Sequence, residues 1–406
     1  MQNVVIEKPY EFIPPHRGNF WPQAIQYFRL ADYYLRHWHG VERYECRGVE
    51  KLQASLAAGH GILLTPNHCR PCDPIAMGLL AREAGTLAFG MASWHLFHES
   101  WAVSTALVLI GAFSVYREGI DRKAINEAIG ILETAERPLI IFPEGAVTRT
   151  NDRLHALLDG VAFIARSAAK KRARAEHPGK VVIHPVAVKY FFQGDLWKTV
   201  DPVLARIEER LSWRPQHDSP LFNRIAKLGY ALLALKEIEF FGQPQSGRLG
   251  DRIPALIDRL LGPLEEEWFG ARQGGGVVPR VKNLRMKITP EMTQGTLESG
   301  ERERRWRQLA DIYLAQQVSC YPVDYLTERL SIDRLLETVE RYEEDLTDKV
   351  TVHGRLKVVM EVGDAMEVST ERERGAPVDP LMAELERRLQ GMLDALGKES
   401  KLYEEA

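Results

Sequence analysis

The chain has 406 residues, 45% of them hydrophobic and 27% charged, an ordinary globular composition that excludes a disordered or fibrous protein. Its formal net charge of -3 excludes a globally basic nucleic-acid binder, so no nucleic-acid partner is expected. Four cysteines, Cys46, Cys69, Cys72 and Cys320, are too few for a secreted disulfide scaffold of this size and favour a reducing compartment.

The opening stretch, MQNVVIEKPYEFIPP, carries charges and prolines where a signal peptide needs an apolar run, so a cytoplasmic chain without a cleaved leader is expected. Residues 19 to 39, NFWPQAIQYFRLADYYLRHWH, repeat aromatics and leucine at helical spacing with arginines between them, which predicts one amphipathic helix. Such a helix packs on its own domain or anchors at a headgroup boundary, and the two roles are compatible. From Tyr44 the pattern alternates. YECRGV, GILLTPNH, TLAFGMAS, AFSVYR, PLIIFPEG and KVVIHPVAVKY read as strands, and VEKLQASLAAG, DPIAMGLLAREAG and DRKAINEAIGILETAER as helices between them. That is an α/β sheet covered by helices. The longest uncharged apolar stretch, Trp101 to Tyr116, is shorter than the roughly 20 residues of a spanning helix, and a buried or interfacial segment is expected there.

Beyond about Asp195 the segments are mostly helical, broken by FGQPQSGRLG and RQGGGVVPR, and no internal repeat is apparent. Strand character returns in KVTVHGRLKVVMEVGDAMEV, followed by the amphipathic helix DPLMAELERRLQGMLDAL. The organisation expected is an amphipathic segment at 1–43, an α/β core at 44–195, a helical insertion at 196–350, and a returning strand and helix of the core at 351–406.

Polar residues of chemical interest gather at strand ends, where open α/β sheets bind ligands. NHCRPCD, residues 67 to 73, has two readings. Cys69 and Cys72 form a CxxC pair, as in a thiol redox centre or half a zinc site. His68 and Asp73 form an HxxxxD pair, as in a general base and its orienting carboxylate. His68 falls between a strand and a helix start, where the macrodipole favours a neutral ring. Five helical positions turn about 500°, so the pair needs a non-helical turn to meet. Pro74 is expected to push Asp73 out of the helical region. Zinc needs four good ligands, and no second CxxC or paired CxxH occurs, so no metal is expected. Arg117 ends the strand-like GAFSVYR and offers a planar fork for phosphate oxygens, although a surface salt bridge is the commoner role. In PLIIFPEGAVTRTND, Gly145 permits a tight turn, loop amides with Thr148 and Arg149 suit an anion, and Glu144 suits either Arg117 or an acceptor hydroxyl.

Together these segments resemble the glycerolipid acyltransferase family that includes 1-acylglycerol-3-phosphate acyltransferases. NHCRPCDP is similar to its NHxxxxDP block, GAFSVYR to its glycine-to-arginine block, FPEG to its FPEG block and VVIHPVAV to its apolar strand with proline, in matching order over about residues 44 to 192. Several positions depart from the usual pattern, among them His95, which lies where an acidic residue is frequent. Ala146 and Val147 follow Gly145 where threonine is common, and Ser93 stands near the place of a frequent lysine. The resemblance implies a mixed sheet flanked by helices, with residues 196–350 as a large helical insertion. It implies an O-acyltransferase with no bound cofactor that uses acyl-CoA or an acyl carrier protein thioester as co-substrate. A lysophospholipid or glycerol phosphate would be the acceptor. His68 would be the base and Asp73 its partner, while Arg117, Glu144, Gly145, Thr148 and Arg149 would bind the acceptor's phosphate. The substrates imply a peripheral position on a membrane lipid surface. A catalytically silent lipid-binding or scaffolding protein on the same fold is the alternative.

Overall fold

The computed structural model describes residues 6–176, 178–295, 297–371 and 379–404. The chain divides into two compact units, one formed by residues 11–193 and 354–400, the other by 1–10, 194–353 and 401–406.

The first unit begins with two helices, α1 (Phe20–Tyr27) and α2 (Leu30–His39). One continuous helix was expected over this stretch, and the correction has a geometric cause. Each piece buries a residue, Pro22 in α1 and Leu35 in α2. At about 100° per residue these positions would lie on nearly opposite sides of one straight helix. Arg29 takes a left-handed conformation, φ 52°, at the break and redirects the chain. Asp32 of α2 then reaches the Arg82 guanidinium at 2.6 and 2.9 Å.

There follow β1 (Val41–Arg47), α3 (Val49–Ala57), β2 (Gly61–Pro66), α4 (Asp73–Glu83) and β3 (Phe89–Ser93). Next come α5 (Trp101–Leu109), β4 (Ala112–Val115), α6 (Arg122–Thr134), β5 (Leu139–Ile140), α7 (Gly160–Arg172) and β6 (Val181–Phe192). After the second unit the chain returns as β7 (Leu356–Val362), β8 (Met366–Glu367) and a C-terminal helix, Pro380–Gly397. Among the described residues the strands form one sheet, ordered β1-β7-β6-β2-β5-β3-β4, with β8 on β6. The sheet is mixed, as expected: β6, β2, β5, β3 and β4 run parallel, and β7 is antiparallel to β6. The carboxyl ends of β2, β5, β3 and β4 therefore share one edge.

The uncharged stretch from Trp101 to Tyr116 turns out to be two elements. Its first half is α5, in which no residue is buried, and its second half is the largely buried strand β4. Gly111, at φ 93°, makes the turn between them. On one face of the sheet Leu63, Phe89, Phe113 and Ile183 pack against Ala124, Ala128 and Leu132 of α6 and Ala165 and Ala168 of α7. The alanines let both helices approach closely. The opposite face carries His184, whose imidazole meets the Ser55 hydroxyl of α3 at 2.9 Å.

The second unit consists of helices α8 (Leu196–Arg210), α9 (Leu221–Phe241), α10 (Leu249–Phe269), α11 (Val277–Met292), α12 (Ser299–Ser319), α13 (Tyr325–Glu328) and α14 (Ile332–Thr347). Here the structure corrects the reading that no repeat is present. Glu208, Glu237 and Glu265 are buried near helix ends, and each accepts the backbone N–H of a glutamine eight residues on, Gln216, Gln245 and Gln273. Each also binds the guanidinium of an arginine on the next helix, Arg224, Arg252 or Arg280, at 2.7 to 3.0 Å. Asp201 and Asp258 add a second carboxylate to the first and third arginines, and the Tyr230 ring takes the equivalent place under Arg252. The segments EERLSWRPQHDSPLFNR, EIEFFGQPQSGRLGDR and EEEWFGARQGGGVVPR thus form tandem helix hairpins of about 28 residues. Three positions in each carry the repeat and the others vary, which hides it from inspection of the sequence. Removing one partner of such a pair leaves a buried charge. Glu265→Ala should therefore destabilise this unit by about 3–5 kcal/mol, seen as a lowered denaturation midpoint; an unchanged midpoint would mean the pair contributes nothing.

Candidate active site

Strand β2 is buried along its whole length and stops at Pro66, which has no N–H to continue the ladder. Side chains extend it. Asn67 donates to the Val188 carbonyl at 2.9 Å and accepts the Val188 N–H at 2.7 Å. Asn151 repeats the pattern two residues further along β6, donating to the Tyr190 carbonyl at 2.6 Å and accepting its N–H at 2.8 Å. These amides hold β6 in extension beside a chain that has already turned into NHCRPCD.

The turn brings His68 and Asp73 together, with His68 Nδ1 2.9 Å from Asp73 Oδ2. Helix α4 starts at Asp73 itself. The expectation that Pro74 excludes Asp73 from the helix is therefore corrected: Pro74 stands in the first turn, where no intrahelical N–H is required. Asp73 gains there from the positive end of the helix. Its carboxylate has no exposed surface, yet it is well supplied with donors. Oδ2 also accepts the Arg70 backbone N–H at 2.9 Å, and Oδ1 accepts the Tyr190 hydroxyl at 2.7 Å. The His68 ring stacks on Phe142 with centroids 4.1 Å apart and keeps 14% of its side chain exposed. No described residue hydrogen-bonds its Nε2.

The loop after β5 is tied to the same turn. Glu144 Oε1 accepts the His68 backbone N–H at 2.7 Å, and Oε2 accepts the His155 N–H at 2.8 Å. Thr148 donates its N–H and its hydroxyl to the His68 carbonyl, at 2.8 and 3.1 Å. Gly145 sits between them at φ 69°, a left-handed conformation that favours glycine, and a Cβ there would displace the end of the Leu158 side chain. Glu144 and Thr148 thus brace His68 from behind. Arg149 follows in a left-handed conformation, φ 59°.

Arg117 lies just beyond β4 on the same sheet edge. Three strand spacings separate β4 from β2, roughly 14 Å. Among the described residues no hydrogen bond or ion pair joins Arg117 to Glu144 or to His68, and it has no ion-pair partner. Burial lowers its pKa, and the neighbouring Glu118 charge acts the other way. A partly buried cation of this kind is suited to an anionic ligand. Ser93, near the usual lysine position, contacts His95 Nδ1 at 2.8 Å, and His98 stands edge-on to Trp94, as packing residues do.

The cysteines within the motif point away from thiol chemistry. Cys69 and Cys72 are both buried, and burial, reinforced by the Asp73 charge, pushes the Cys72 thiol up to about 12. A reactive thiol needs the opposite environment. Tyr190 and Asn151 were not anticipated as parts of the site, nor was any role for the Asn67 amide. The only sequence signal for Tyr190 is that His184, Val186, Val188 and Tyr190 alternate onto one face of a long strand.

The mixed sheet thus carries a histidine–aspartate pair at the carboxyl ends of its parallel strands. The family model described as Acyltransferase matches residues 43–189. No curated protein matches the chain.

Glu144 provides a test of the bracing. Burial pushes its carboxyl up to about 8 from the ordinary 4.5, against its two backbone donors and with a contribution from the Asp73 charge. A raised folded-state value stabilises below 4.5 and is lost as pH rises through about 8. Chemical denaturation should show stability falling across that window, and Glu144→Gln should flatten the decline; equal slopes in the two proteins would refute it.

Proposed function

We propose that the protein is a peripheral membrane acyltransferase that moves a fatty acyl group from an acyl thioester to a lipid hydroxyl, with His68 as general base. The observation that carries this is the bond from His68 Nδ1 to a buried carboxylate, which leaves Nε2 as the nitrogen able to accept a proton. The acceptor hydroxyl gives its proton to Nε2 while its oxygen attacks the thioester carbonyl. Asp73 offsets the imidazolium charge. Collapse of the tetrahedral intermediate breaks the C–S bond, and the thiolate takes the proton back from His68. The products are a new ester and a free thiol, and no acyl-enzyme is needed.

On this reading the acyl donor is acyl-CoA or acyl carrier protein, and the acceptor is a lysophospholipid or glycerol phosphate. Arg117 supports the phosphate because it is a partly buried guanidinium without an ion-pair partner among the described residues. Arg149 and the amides after Gly145 are the second candidate group.

Lipid-surface attachment is supported by exposed apolar side chains. Phe20, Trp21, Tyr27, Phe28, Tyr33 and Trp38 of α1, α2 and their junction are exposed, Tyr27 to 82%. Helix α5 is apolar all round and buries none of its residues, with Trp101 83% exposed. A helix of that composition is normally covered. No helix among the described residues is long and apolar enough to cross a membrane. The basic stretch 170–180 supports the reading less. Arg172 donates to the carbonyls of Gly59 and Glu133, Lys171 pairs with Glu133, and His177 lies outside the described residues.

Purified protein incubated with acyl-CoA and a panel of lysolipids, with products identified by mass spectrometry, tests the reaction. Transfer should occur and His68→Ala should abolish it; near-normal turnover in that variant would sink the base assignment. In the same assay Arg117→Ala should raise the KM of a phosphorylated acceptor, and unchanged acceptor dependence would point to one without phosphate. Flotation with anionic vesicles should show binding weakened about tenfold by Trp101→Ser; undiminished binding would remove α5 from the membrane contact.

A further inference from the structure

We propose that Tyr190 is a positioning residue for the His68–Asp73 pair, holding the carboxylate in the one rotation that presents Oδ2 to His68. This rests on the reading of His68 as the base. Asp73 Oδ2 already takes two donors, His68 Nδ1 and the Arg70 N–H. Oδ1 has the Tyr190 hydroxyl at 2.7 Å, and its other partner is the weak donor Cys69 Sγ at 3.9 Å. In a site with no exposure to solvent, loss of the phenol would leave a charged oxygen with almost no donor.

The phenol is itself fixed from three sides. Asn151 clamps its backbone through both the N–H and the carbonyl. The Arg70 guanidinium lies over its ring, 5.3 Å from the centroid. Cys72 Sγ is 3.3 Å from its hydroxyl oxygen. Burial raises the Tyr190 pKa well above its ordinary value, with the Asp73 charge contributing, so the hydroxyl remains a proton donor. Arg70 acts twice, with its backbone on Asp73 and its side chain on Tyr190. The residues between His68 and Asp73 thereby help to seat the tyrosine that steadies them.

A purely packing role would need only the ring. Tyr190→Phe keeps the ring and removes the donor. In the full-length protein it should lower kcat about 10- to 100-fold with little change in KM for either substrate. The acidic limb of the rate profile should move to higher pH, because the carboxylate loses the donor that favours its charged form. Combined with Asp73→Asn it should cost little beyond Asp73→Asn alone, since both act through one carboxylate. Replacing Tyr190 with a fluorotyrosine, a stronger donor of nearly the same shape, should retain turnover and move the acidic limb the other way. Unchanged kcat in Tyr190→Phe, or a loss that multiplies fully with Asp73→Asn while the pH profile stays in place, would overturn the proposal. Should Tyr190→Phe fail to fold, the fluorotyrosine protein decides, and an unmoved acidic limb there overturns it as well. His68→Ala measured alongside separates the two levels. An active His68→Ala refutes the base and this proposal with it, whereas an inactive His68→Ala beside a fully active Tyr190→Phe refutes the tyrosine alone.

Discussion

Asp73 is a carboxylate with no contact with solvent, and the arrangement around it follows from keeping that charge inside the protein. An ionised group in such a place is tolerated only when donors replace the water it has lost. Three come from different levels of the structure: a ring nitrogen, a backbone N–H of its own turn, and a phenol from a distant strand. The start of α4 adds the field of a helix N-terminus. Each donor fixes a direction, so the satisfied carboxylate is also an oriented one, with Oδ2 facing His68 Nδ1.

That constraint explains features otherwise unrelated. Strand β2 ends at Pro66, yet β6 must run on to Tyr190, and the Asn67 and Asn151 amides stand in for the missing strand. Glu144 holds the His68 backbone from the next strand, and Thr148 closes on the His68 carbonyl. What first suggests a phosphate-binding loop is, at Glu144 and Thr148, a brace for the histidine. Arg117, just beyond β4, and Arg149, in the loop after β5, are the cations proposed to meet an anionic ligand.

Much of this was legible in the sequence, and the missing parts have physical causes. The sheet could be read because its strands are short apolar runs closed by glycine and proline. The pair His68 and Asp73 could be read because five residues separate them and the flanking blocks recur in order. Tyr190 is 117 residues from Asp73, and nothing in VVIHPVAVKY separates a donor from a packing aromatic. The helix at 19–39 was read as continuous because periodicity does not register a single left-handed residue. The repeats in the helical unit escaped because each is defined by one glutamate, one glutamine and one arginine. The two cysteines drew attention by spacing alone, and burial settles their character.

The proposed base role requires that Asp73 fix the tautomer of His68 so that Nε2 is left unprotonated. The most direct measurement is nitrogen NMR of protein labelled at histidine, with His68 assigned by substitution, at a pH where the ring is neutral. The account predicts a proton on Nδ1 and none on Nε2, with the preference lost in Asp73→Asn. A His68 carrying its proton on Nε2 in the wild-type protein would contradict it.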